Sequence, residues 1–250
     1  MTRNVETIFG LHAVRALLMR RPERILRLRL AAGRDDPRVR ELLELAQRHG
    51  RPVERAEARE LNQLLGEAVH QGIVAEILPL APFTEDDLLA ALALARKPVL
   101  LALDGVQDPH NLGACLRTAD ACAALAVIVP KDRAAQLNAT VRKVAAGAAE
   151  TTPVVAVTNL ARSLGLLKRA GLWVVGADAD GPLRAQDVDL RGGIVLVLGA
   201  EGAGLRKLTR QSCDFVVRLP QLGSVESLNV SVAAGMLLYE ALRQRGTAQN

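Results

Sequence analysis

The chain has 250 residues, half of them apolar, a net charge of +5 and only 2% aromatics. That length supports one large domain or two modest ones, and no apolar run nears the roughly 20 residues that span a bilayer. Cys115, Cys122 and Cys213 are too scattered for a disulfide framework, and the four histidines lack ligand spacing, so no metal is expected.

The opening MTRNVETIFG lacks a signal peptide's apolar core, so a cytoplasmic protein is expected. Leu11, Val14, Leu17 and Leu18 have helical spacing, and Ile25–Leu30 alternates as a strand does. Val39–Arg48 reads as an amphipathic helix ended at Gly50, and Ile73–Leu78 as another strand. Pro79, Pro82 and the acidic run 85–87 mark a composition break, followed by an Ala- and Leu-rich helix up to Arg96. The expected division is therefore a domain over 1–78, a linker over 79–97 and a second domain over 98–250. Beyond the linker, strands are predicted at Val99–Leu103, Ala126–Val129, Val154–Val157, Leu172–Val175, Ile194–Leu198 and Phe215–Leu219. Helices are predicted at 111–123, 137–149 and 159–170 between them. Short buried strands alternating with helices indicate an α/β fold with a largely parallel sheet covered on both faces.

Charge is unevenly spread. Residues 1–60 hold fourteen arginines, no lysine and nine acids, for +5; residues 61–96 come to −4 and 97–250 to +4. An arginine-rich first third points to a polyanion, RNA foremost, with a solvated helical surface as the alternative. So few aromatics leave no stacking platform, so RNA contact falls to arginine, backbone and shape.

Open α/β sheets bind ligands beyond the carboxyl ends of their strands, and three unusual clusters stand there. In DPHNLGACLRTAD (108–120), a helix over 111–123 gathers Leu112, Cys115, Leu116, Ala119, Cys122 and Ala123 on one face. Arg117 falls opposite, between Gly113 and Asp120, and Asn111 is placed as N-cap. Gly113 costs about 1 kcal/mol in a helix relative to alanine, which a close approach at that point would explain. In the second cluster, Ile194–Gly204, a buried strand runs into Gly199, Gly202 and Gly204 around Glu201. That G-x-x-G-x-G order is not the dinucleotide fingerprint, and a plain turn is the alternative. In the third, Leu219–Gly235, a polar loop leads into a final helix beginning near Ser227, with Asn229 in its first turn. The small residues Ser231, Ala233, Ala234 and Gly235 permit close packing against a dimer partner or a cofactor.

At these residues the sequence resembles the SPOUT superfamily, in particular the SpoU or TrmH type of RNA ribose 2′-O-methyltransferases. The motif N-x-G-x-x-x-R-[ST]-A stands as Asn111, Gly113, Arg117, Thr118 and Ala119; L-G-x-E-G-x-G stands as Leu198–Gly204; S-L-N-V-S-V-A-x-G stands as Ser227–Gly235. IFGLHAVRALL, HQGIVAEI and KDRAAQLNATVRKVAAGAAE are similar to the branch that methylates a guanosine ribose in 23S ribosomal RNA. One departure is Gln221 after Pro220, where methionine is commoner. The resemblance implies a catalytic domain with a deep trefoil knot, a small RNA-binding domain of L30e-like fold, a homodimer, and S-adenosylmethionine as cofactor. It assigns Gly199, Gly202, Leu219, Pro220 and Leu228 to the cofactor, and catalytic or substrate roles to Arg117, Asn111, Glu201, Ser227 and Asn229.

The implied reaction is methyl transfer to the ribose 2′-hydroxyl of a guanosine in 23S rRNA. The alternatives are the same chemistry on tRNA or another rRNA nucleotide, or a non-catalytic RNA-binding assembly protein. A nicotinamide oxidoreductase is disfavoured by the glycine order. The chemistry needs positioning and stabilisation of a developing alkoxide. Arg117 is then either the general base or an electrostatic clamp, with Glu201 placed to orient its guanidinium.

Overall fold

The computed structural model describes residues 5–65, 70–79, 81–202, 204–225 and 227–246. Met1–Asn4, Leu80 of the expected linker, and Ala203 and Glu226 of the expected ligand loops lie outside them. By contacts the chain forms two units, Met1–Ala81 with Asn138–Thr151, and Pro82–Leu137 with Thr152–Asn250. The first boundary falls inside the 79–97 segment. Residues 138–151, placed by the sequence in the second domain, pack in the first unit.

In the first unit, β1 (Glu6–Phe9), β2 (Ile25–Ala31), β3 (Val53–Ala56) and β4 (Ile73–Ile77) form a sheet in the order β1-β4-β2-β3. Only the β2–β3 pair is parallel. The alternation in β2 sends Leu28 and Leu30 into a core with Leu17 and Leu18 of α1 (Leu11–Arg20) and Val39 and Leu42 of α2 (Pro37–Arg48). α2 starts two residues before its expected Val39. Pro37 occupies the first turn, where its missing N–H costs nothing, and Asp36 accepts from Val39 N at 3.3 Å. The other face of β2 carries Arg27 and Arg29, whose guanidinium nitrogens lie 2.9 and 3.1 Å from Glu76. Part of the arginine excess therefore serves the sheet itself. α3 (Ala58–Leu65) buries Leu61 against Phe9, Ala31, Ala56 and Val74.

The predicted helix 137–149 is interrupted. α6 spans only Ala139–Val144, Gly147 turns left-handed at φ 103°, and a 3-10 turn follows at Ala148–Glu150. A side chain at Gly147 would overlap the Cβ of Ala16 on α1, so the break lets this segment lie close to that helix. It also buries Glu150 between Arg24 and Arg142, which both donate to it, while Arg142 Nη2 reaches Glu6 at 3.2 Å. Burial pushes the Arg24 guanidinium below its ordinary range, against the pull of Glu150.

The second unit is a parallel sheet of seven strands in the order β7-β6-β5-β10-β8-β11-β9. β5 (Val99–Asp104), β6 (Ala126–Pro130) and β10 (Ile194–Gly199) are buried almost throughout, flanked by β7 (Val154–Val157), β8 (Trp173–Ala177), β11 (Phe215–Arg218) and the short β9 (Leu183–Arg184). One face packs on α4 (Glu85–Leu94) and α7 (Leu160–Arg169) through Leu88, Leu92, Leu164 and Leu167. The capping box of Thr84 and Asp87 starts α4. α8 (Lys207–Ser212) links β10 to β11, and α5 (Pro109–Ala121) packs against α9 (Val230–Gln244), which lies on β10. On α5 the expected apolar face is buried from Leu112 to Ala119, but Cys122 caps the helix half-buried, and Ala123, at φ 53°, is exposed. Burial holds the Cys115 thiol up at about 12 and Cys213 up at about 11, so neither is a ready nucleophile at neutral pH. No described helix is long and apolar enough to cross a membrane.

Glu150→Ala removes the buried counter-charge of two guanidiniums and leaves them only the part-exposed Glu6, and should cost about 3–5 kcal/mol in urea unfolding. Arg40→Ala, which removes an exposed partner of Asp35, should cost under about 1 kcal/mol.

Candidate active site

Because every strand of the second sheet runs the same way, the ends of β5, β10, β8 and β11 share one edge, and four loops leave it. The loop after β5 enters α5 through Asp108, which accepts from His110 N at 2.8 Å, with Pro109 in the first position. Asp108 is thus the N-cap, and the expected cap Asn111 lies inside the first turn, buried, its amide free for other contacts.

The glycines after β10 answer to backbone crowding. Any side chain at Gly199 would overlap the main chain of Gly204 and Leu205. Gly202 and Gly204 adopt φ 73° and 64°, and Gly204 N donates to Ala200 O at 2.9 Å. The result is a closed loop that returns on its own stem and carries Glu201 at its turn.

The loop after β11 ends at Asn229, and this residue, not Ser227, caps α9. Its Oδ1 accepts from Ser231 N at 2.9 Å and Val232 N at 3.4 Å. With Oδ1 so engaged, the Asn229 amide nitrogen donates to Glu201 Oε1 at 2.5 Å and to Asn111 Oδ1 at 3.0 Å. Asn111 Nδ2 donates to the same Glu201 oxygen at 3.2 Å, and Val230 N adds a third donor at 3.3 Å. A carboxylate at the first N–H of α9 also gains from the helix dipole.

Asn111, Glu201 and Asn229 are therefore brought together. Arg117 is not joined to them. It is exposed on α5 and makes no hydrogen bond or ion pair among the described residues, so its guanidinium is not oriented by Glu201. Glu201 is held by the two amides instead.

Beside this cluster lies a cavity of about 510 Å³. Gly199, Glu201, Gly202, Leu219, Ser227 and Leu228 line it; Pro220 lies between the lining residues Leu219 and Gln221. Ala233 of α9 also lines it, while Ala234 is buried and Gly235 faces Thr118 of α5, so the small residues serve both the cavity and the α5–α9 contact.

Three lining residues with acidic or amide side chains were not singled out from the sequence as site residues, nor was Arg210. Asp178 and Asp180 follow β8, and Asp178 pairs with Arg210 of α8 at 2.5 Å. The third is Gln221, noted only as a departure; its Oε1 is buried without a hydrogen-bond partner among the described residues. The strand before Asp178 was visible, so the signal was its place in the same parallel sheet. Among the described residues no cluster of three or more His, Cys, Asp or Glu is arranged to hold a metal.

The model of the SpoU rRNA Methylase family matches residues 98–239, and a model for RNA 2′-O ribose methyltransferase substrate binding matches 7–83. A 23S rRNA (guanosine-2′-O-)-methyltransferase, RlmB, of Pseudomonas aeruginosa is 57% identical across 96% of this chain and 97% of its own. The protein of that name from Escherichia coli is 49% identical across 96% and 99%. The SpoU methyltransferase AviRb from Streptomyces viridochromogenes, solved in complex with the cofactor AdoMet, superposes with a TM-score of 0.77 at 25% identity, covering 96% of this chain and 90% of that one. With both family models matched in order and a relative 57% identical over 96% of the chain, this chain belongs to the SpoU rRNA methylase family.

Proposed function

We propose that this protein transfers the methyl group of S-adenosylmethionine to the ribose 2′-hydroxyl of a guanosine in 23S ribosomal RNA. The observation that carries this reading is the Asn111–Glu201–Asn229 cluster beside a glycine-walled cavity, in a chain 57% identical to a 23S rRNA (guanosine-2′-O-)-methyltransferase. The match of residues 7–83 to a substrate-binding model supports RNA contact by the first unit. There Arg20, Arg21, Arg38, Arg48 and Arg59 are exposed and make no ion pair among the described residues, which leaves them for phosphates.

The residues present fit the cofactor. The cavity volume of about 510 Å³ lies within the usual range of about 300–1,000 Å³ for small-ligand sites. Gly199 and Gly202 bring bare backbone to its wall, Leu219 and Leu228 give it apolar surface, and Pro220 stiffens the loop between. The unpartnered Gln221 Oε1 offers an acceptor to an amine or hydroxyl of the ligand. When bound, S-adenosylmethionine supplies an electrophilic methyl group on a positively charged sulfur.

Arg117 is free to meet RNA. Its planar guanidinium carries five N–H donors and no acceptor, so its part is to grip the neighbouring phosphate and the 2′-oxygen as negative charge builds there. Transfer would make the carbon–oxygen bond as the carbon–sulfur bond breaks, with the hydroxyl proton leaving to water. Glu201, with one oxygen taken by three donors, ties the glycine loop to the first turns of α5 and α9 rather than moving a proton. Ser227 places a hydroxyl on the cavity wall.

The same reading gives the second unit a deep trefoil knot, the first an L30e-like fold, and the protein a cytoplasmic homodimer joined through the catalytic domain. Val232, Met236 and Tyr239, spaced along α9 and 51, 43 and 63% exposed, support a face covered by a second copy.

The direct test is to incubate the protein with labelled S-adenosylmethionine and unmodified 23S rRNA and map the label. A single 2′-O-methylguanosine is expected. Label on tRNA or another nucleotide would move the substrate, and cofactor binding without transfer would make this an assembly protein.

Arg117→Ala should lower kcat by about a hundredfold to a thousandfold, the range of a lost oxyanion donor, and leave S-adenosylhomocysteine affinity within about threefold, as calorimetry reads it. Arg117→Lys should also fail, since a point charge does not reproduce the fork of donors. Met236→Glu with Tyr239→Glu should turn a dimer into a monomer in sedimentation velocity; a monomeric parent protein would contradict the dimer.

A further inference from the structure

Asp104, the last residue of β5, is an acid in the middle of the parallel sheet, and its side chain is 1% exposed. In the β5–β10 ladder it stands in register with Gly199, the residue from which the glycine loop departs. Its side chain reaches the other end of that loop, where Oδ2 accepts from Arg206 N at 2.9 Å. Among the described residues Oδ1 is buried with no hydrogen-bond partner, and its ion-pair partner is Arg206 Nη1 at 3.6 Å. Gly105, at φ 82°, leaves room for that guanidinium; a Cβ there would stand 2.8 Å from Arg206 Nη2. One residue therefore holds both feet of loop 199–206, the first through strand register and the second through its carboxylate.

The energetics argue for placement over stability. Burying a carboxylate with half its hydrogen-bonding capacity unused is costly, and an apolar residue of similar volume is often the more stable choice. The other residues of β5 are apolar and fully buried, so the strand has no general need of an acid. Gly204 and Leu205 lie against the backbone of Gly199, so releasing Arg206 would let them rise from it and carry Glu201 with them.

We propose that Asp104 is a positioning residue for methyl transfer, which sets the height of loop 199–206 and through it the placement of Glu201 against Asn111 and Asn229. The idea rests on the proposed methyltransferase reading and gives Asp104 no contact with substrate. Three variants test it. Asp104→Leu removes the acceptor, Asp104→Asn keeps an acceptor without the charge, and Arg206→Pro deletes the donated N–H at φ −61°, a value proline tolerates.

Each variant is read by amide hydrogen exchange of the free protein, S-adenosylhomocysteine affinity by calorimetry, and kcat and KM on 23S rRNA. In Asp104→Leu, exchange at Gly204 and Leu205 should rise at least about tenfold while β5 and β10 keep their protection. Affinity should fall at least about tenfold and kcat should fall with it. Arg206→Pro should reproduce this pattern, and Asp104→Asn should stay within about threefold of the parent protein. Parental affinity and kcat in Asp104→Leu or Arg206→Pro would overturn the proposal, as would exchange that rises equally through the sheet. If Asp104→Leu does not fold, Arg206→Pro and Asp104→Asn decide. If the parent protein binds no S-adenosylhomocysteine, the methyltransferase reading fails, while the exchange measurement still judges the loop clamp.

Discussion

One carboxylate oxygen organises the catalytic half of this protein. Glu201 Oε1 receives N–H groups from Asn111, Asn229 and Val230, which belong to two helices and reach it from different strand ends. Hydrogen bonds to a charged acceptor are worth about 1.5–3 kcal/mol each, enough to hold three loops in one arrangement. The parallel sheet makes the convergence possible, since it sets the ends of β5, β10 and β11 along one edge. The caps then decide what each amide does. Asp108 relieves Asn111 of capping α5, and Asn229 caps α9 with its oxygen and serves Glu201 with its nitrogen.

The second constraint is close approach of backbone. Gly199 leaves no space for a Cβ, so the loop that carries Glu201 folds back on its own stem and exposes main chain to the cavity. Selectivity for a cofactor can then reside partly in carbonyl and N–H groups, beside the charged side chains of Asp178, Asp180, Glu201 and Arg210 on the same wall. Arg117 stands apart from this frame, exposed and unpaired, and so remains available to a polyanion that the cavity does not itself hold.

Much of this was legible in the sequence, for physical reasons. The central strands are unbroken apolar runs buried on both faces, and Val154–Val157 matches residue for residue. β1 and β3 were missed because four-residue strands with charged or half-buried positions show little periodicity. The helix 137–149 was over-read because its alanines favour helix locally, whereas packing against α1 and the burial of Glu150 break it at Gly147. The caps were misplaced by a few residues for a related reason: Asn, Asp and Ser all cap well, and only the three-dimensional demand of Glu201 separates them. The glycine loop could be read because its spacing is unusual. The Asp178–Arg210 pair and the free oxygen of Gln221 could not, since they depend on which loops the sheet order makes neighbours.

The central claim is that Glu201 and Asn229 act as one unit. A double-mutant cycle of Glu201→Gln and Asn229→Ala, read as kcat/KM for methyl transfer to 23S rRNA, tests it most directly. The expected coupling is at least about 1.5 kcal/mol, in the range found for residues of one hydrogen-bond network. Additive losses within about 0.5 kcal/mol, the behaviour of independent sites, would contradict it.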